Sequence, residues 1–199
     1  MTDWGYHFER IGRSRFPVYV FHRRTYFQHM IDRPTYRRDE IQERLSLWAT
    51  SQTKPKYIFP AGLDDRIDLR EIAAANRIRE LHAKNLSKKF VAENWYVFNY
   101  MNDLGIQYFL PTFLYLLMKS GMFPMADCTP IYDVVSGVSD TGGASDRTRR
   151  VYGLLSREQK RIVADYYLWD VRYRTEKFQG YKNFVSSSEF DIIFELTES

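Results

Sequence analysis

The chain is poor in the residues from which most catalytic and metal centres are built. Of its 199 residues one is cysteine, Cys128, and four are histidines, His7, His22, His29 and His82. A single cysteine makes no internal disulfide and no cysteine-rich metal site, which fits a reducing cytoplasm. Cys128 sits in MADCTP after an acidic residue, without the cationic neighbour that activates a thiol, so it reads as a small packing residue. The histidines form no HxxxH or HExxH pattern, so neither a metal nor a cofactor is expected. Glycine numbers only 10, and no GxGxxG, GK[ST] or GxSxG is present, which leaves out the dinucleotide fingerprint, the phosphate loop and the serine-hydrolase elbow. Long apolar runs are missing too. The strongest, Tyr108 to Met118, holds 11 residues with Pro111 and Thr112 inside it, against about 20 for a membrane span. It reads as a buried helix of a protein off the membrane. The start, MTDWGYHFER, lacks the basic and apolar regions of a signal peptide.

What is present is an ordinary globular balance, 44% apolar and 27% charged, with an aromatic content of 17%. Aromatic side chains bury large areas in cores, and Tyr and Trp also gather at binding surfaces. The net charge of +4 is uneven. Residues 1–60 carry 11 Lys and Arg against 6 Asp and Glu, and the rest carry 18 against 19. The positive character therefore belongs to the N-terminal third.

Periodicity suggests a mainly α (α+β) domain: a compact helical core with a few short strands at its N- and C-terminal ends. PVYVF at 17–21 and the alternating FDIIFEL at 190–196 have strand patterns. RRDEIQERLSLWA at 37–49 places Ile41, Leu45 and Trp48 on one helical face. The breakers Lys54-Pro55 and Pro60-Ala61-Gly62 divide a basic, aromatic extension, 1–60, packed on the core, from a core domain, 61–199. Core helices are expected near 64–86, 105–120 and 157–173, the first started by Asp64 and Asp65. ENWYVFNYMN at 93–102 is too aromatic for a loop and reads as a short helix or turn on the core. Pro111 reads as a helix start or kink, because proline is favoured in a first turn and costly further in. Asp103 reads as a cap, and Ser156 with Gln159 forms a capping-box pattern. SGVSDTGGASD at 136–146 reads as a low-complexity loop.

YFLPTFLYLLM at 108–118 followed by LLSREQKRIVADYYLW at 154–169 resembles an uncharacterised bacterial domain family. Its members pair a tyrosine-leucine-proline helix with a leucine-threonine-x-glutamate-glutamine helix start. Tyr108, Leu110, Pro111, Leu155, Glu158 and Gln159 match, with Phe109 in place of a common second tyrosine and Ser156 in place of threonine. The likeness covers about residues 65–172 and implies a small bacterial protein with no assigned reaction. Tyr108, Pro111, Ser156 and Gln159 carry structural roles on this reading.

Arginines interleaved with aromatics in the first third supply the candidate site: Arg15, Arg23, Arg24, Tyr26, Arg37 and Arg38. Arginine, tyrosine and tryptophan anchor protein interfaces. The expected function is thus a non-catalytic, cytoplasmic protein-interaction protein, such as an immunity protein that neutralises a toxin. A nucleic-acid-binding module would use the same residues, since guanidinium groups fit phosphate and rings stack on bases, although no RNP or helix-turn-helix pattern is present. An enzyme with an unrecognised site is the third reading.

Overall fold

The computed structural model describes residues 37–120 and 146–177, and these form six α-helices and one 3-10 turn, with no strand among them. In chain order they are α1 (Arg38–Ser51), α2 (Leu69–Glu80), the 3-10 turn Ala83–Asn85, α3 (Lys88–Phe98), α4 (Asp103–Ser120), α5 (Asp146–Gly153) and α6 (Arg157–Lys177). The described architecture is mainly α. The strand patterns at 17–21 and 190–196 lie outside the described residues.

The centre is α4, whose Ile106, Tyr108, Phe109, Leu110, Phe113, Leu114 and Met118 are all buried. Against it lies α1, which buries Ile41, Leu45, Trp48 and Ala49, a face spaced by four, three and one residues. The rings of Phe98 and Phe113 meet edge to face at 5.4 Å, with Phe109 at 6.2 Å from Phe98. Further contacts join α6 to α1 and α5 to α4, while α2 packs on α3.

Pro111 does not start a helix. Helix α4 runs unbroken from Asp103 to Ser120 with Pro111 in its interior. An interior proline removes a backbone donor and crowds the carbonyl four residues back, at a cost of about 3 kcal/mol. Seven buried large side chains on the same helix, each contributing roughly 1.5–3 kcal/mol, outweigh it. The Gln52 amide also donates to the Tyr108 carbonyl, in the turn that precedes the proline.

Two expected caps are displaced. The Asn102 side chain, one residue before Asp103, accepts the Gly105 N–H at 2.8 Å. Asp103 instead receives Arg150 at 2.7 Å and Arg147 at 3.5 Å, tying α4 to α5. Asp68 caps α2 in place of Asp64 and Asp65, through reciprocal bonds with Glu71 of 2.8 and 3.1 Å. Asp64 pairs with Arg79. At the start of α6 the Ser156 hydroxyl accepts the Gln159 N–H at 3.2 Å, and the Gln159 side chain accepts the Ser156 N–H at 2.9 Å.

The turn after α2 is bolted to α4. The buried Ala83 N–H donates to the Tyr108 hydroxyl at 3.1 Å, and the Thr112 hydroxyl donates to the Ala83 carbonyl at 2.9 Å. Lys54 closes the same region by donating to the carbonyls of Ile78, Arg79 and Leu81 where α2 ends.

Candidate interaction surface

Helix α3 has more aromatic residues than its buried face can hold. The buried set of α3 and the turn that follows it, Val91, Asn94, Val97, Phe98 and Met101, is spaced by three, three, one and three residues. Trp95, Tyr96 and Tyr100 fall off that face. Trp95 and Tyr100 are 38% and 37% exposed, and Tyr96 is half-buried.

The backbone adds to this. Asn94 leaves helical geometry, with φ −129° and ψ 20°, inside α3. Its amide nitrogen donates to the Phe90 carbonyl four residues back at 2.8 Å. Its carbonyl oxygen accepts Arg77 of α2 at 2.9 Å. A buried asparagine thus compensates the break and positions an arginine.

Two arginines of α2 lie over rings of α3. Arg70 sits 5.6 Å above Tyr96, and Arg77 sits 5.4 Å above Phe90. Both are exposed residues, and neither has a carboxylate partner among the described residues. The neighbouring acids are engaged elsewhere: Glu71 with the Tyr100 hydroxyl at 3.2 Å and the Asp68 N–H, Glu93 with Lys89. The Trp95 ring meets Tyr96 edge to face at 5.9 Å, and Leu69 beside Arg70 is 84% exposed. Leu69, Arg70, Trp95, Tyr96 and Tyr100 make one surface of the composition found at interface hot spots.

A concavity of about 630 Å³ is lined by residues 54–65 and Arg79. Its charges are largely occupied: Lys54 caps α2, Asp64 holds Arg79, and Lys56 lies 5.1 Å over Tyr57. Among the described residues no group of three or more His, Cys, Asp or Glu is placed to hold a metal ion. None of their helices is long and apolar enough to cross a membrane.

Of the arginines and tyrosine expected to bind a partner, Arg15, Arg23, Arg24 and Tyr26 lie outside the described residues, as do Cys128, His7, His22 and His29. Arg37 is exposed, and its backbone N–H bonds Glu40 at 3.0 Å. Arg38 donates to the Met118 carbonyl and lies 5.7 Å over Trp169, linking α1 to α4 and α6. His82 packs edge-on to Tyr108 at 5.9 Å and accepts the Lys84 N–H at 3.4 Å, a structural role. The signal for the α2–α3 surface was present in the sequence, as aromatics at 95, 96 and 100 left over once 94, 97, 98 and 101 fill the core. No family model, curated protein or solved structure matches the chain.

Proposed function

We propose that the chain is a non-catalytic protein-interaction protein, in its most concrete form a bacterial, cytoplasmic immunity protein that binds and neutralises a toxin. The observation that carries this reading is the exposed arginine–aromatic surface of α2 and α3. Trp95 and Tyr100 hold apolar ring area in water, and Arg70 presents guanidinium donors with no carboxylate partner among the described residues. Such groups gain free energy when a partner covers them. The test is affinity purification of the tagged chain from its native cell, with the product of the adjacent gene as the named candidate. Stoichiometric retention of that product, and relief of its toxicity on co-expression, supports the reading. A chain that retains no protein at physiological salt overturns it.

The charge of the first 60 residues favours a second reading, a nucleic-acid-binding module. Binding would then fall steeply with salt. Failure to retard DNA or RNA at low salt removes it.

A further inference from the structure

Arg70 and Arg77 are seven residues apart on α2. Two turns of helix separate them by about 10.5 Å and return them to within about 20° of the same direction. They form a cationic pair on one helical ridge, each guanidinium carbon lying over a ring. Arg77 is fixed further by Asn94. A guanidinium lying on a ring keeps its N–H groups pointing outward at the edge, so stacking leaves them available for a carboxylate.

From this geometry we infer that the α2–α3 surface docks an acidic helical segment of a partner protein, with two carboxylates about two turns apart seated on Arg70 and Arg77 and an apolar side chain packed on Trp95 and Leu69. The inference rests on the protein-interaction reading and names its partner's chemistry. Charge complementarity is the argument: Glu71 and Glu93 are already bonded within the chain, whereas neither arginine has a carboxylate partner among the described residues, Arg77 bonding only the side-chain amide of Asn94. A protein segment fits better than a nucleic acid strand. Base stacking requires open ring faces, and Arg70 and Arg77 each take one face of Tyr96 and Phe90. The exposed Trp95 and Tyr100 rings and the Leu69 side chain add apolar area that suits an aliphatic contact.

The experiment titrates the full chain with a stapled helical peptide bearing two glutamates seven residues apart and one leucine between them. A control peptide of the same composition places the glutamates on opposite faces. The paired peptide should bind and the control should bind about tenfold more weakly or worse. Arg70→Gln and Arg77→Gln should each weaken the paired peptide by about tenfold, with an unchanged melting temperature for Arg70→Gln. Trp95→Ala should weaken it at high salt as well as low. Equal binding of both peptides, or none, overturns the inference. Arg70-dependent binding of a single-stranded oligonucleotide in place of the peptide also overturns it and favours a nucleic acid. Native-partner capture that survives Arg70→Glu with Trp95→Ala overturns this surface while leaving the protein-interaction reading intact.

Discussion

Gly105→Ala separates local preference from tertiary constraint, because the two predict opposite signs. Gly105 lies in the first turn of α4, and replacing glycine by alanine in a helix gains up to about 1 kcal/mol. A Cβ at this position would stand 2.4 Å from the Ile58 carbonyl oxygen and 3.1 Å from both its carbon and Cβ. An ordinary carbon–oxygen contact is about 3.5 Å, so the segment around Ile58 must retreat by roughly 1 Å. That segment is anchored where the substitution strikes. The Asn102 N–H donates to the Ile58 carbonyl at 3.1 Å, the Asn102 side chain donates to the Tyr57 carbonyl at 3.1 Å, and Ile58 and Phe59 are buried. Loss of one or two hydrogen bonds costs about 0.5–1.5 kcal/mol each, and overpacking adds about 1–3 kcal/mol. Against the helix gain, the net loss is about 0.5–5 kcal/mol. Urea denaturation monitored by far-UV circular dichroism measures it, with Gly153→Ala as the control. Nothing lies within 4 Å of a Cβ at Gly153, so that change should be neutral or stabilise by up to about 1 kcal/mol. A Gly105→Ala variant as stable as the wild type would refute the reasoning, since Ile58 could then move at no cost.

Tyr108→Phe leaves the buried Ala83 N–H without its acceptor and should cost about 1–3 kcal/mol by the same denaturation assay, with little change in shape. Ser156→Ala removes the oxygen that accepts the Gln159 N–H and should cost about 0.5–2 kcal/mol, while Ser156→Thr should largely preserve stability. Asp165 of α6 pairs with Arg44 of α1 at 2.5 Å, yet burial raises its carboxyl above the usual 3.8, with Arg44 and Arg161 opposing. A carboxyl raised in the folded state contributes most to stability below its unfolded value, and that contribution is lost as pH rises through the folded one. Relative to Asp165→Asn, the wild type should therefore lose stability from about pH 4 upward. Melting curves across that range check the sign, and a wild type that gains on the variant with rising pH contradicts it.

Parts of this fold are legible in the sequence because one element's own pattern carries them. Ile41, Leu45 and Trp48 recur at helical spacing and are buried together. Ser156 and Gln159 lie within one turn, so their reciprocal bonds need no distant partner. The apolar stretch from Tyr108 to Met118 is too short for a membrane and too apolar for a surface, and it lies at the centre of the core. Other parts depend on residues far apart in the chain. The helical interior tolerates Pro111 because of burial against α1, which a local preference does not register. Asp103 is an ion-pair partner of α5 because Arg147 and Arg150 come to it from more than 40 residues away. The arginine–aromatic surface likewise joins Arg70 to Tyr96 and Arg77 to Phe90.

The sequence by itself determined the helical class, the central apolar helix and the start of α6, since each follows from spacing within a few turns. Only the tertiary structure decided which capping residue wins, why a proline sits inside α4, and where arginines meet exposed rings. Those outcomes turn on packing between segments, and packing free energy outweighs local preferences of about 1–3 kcal/mol.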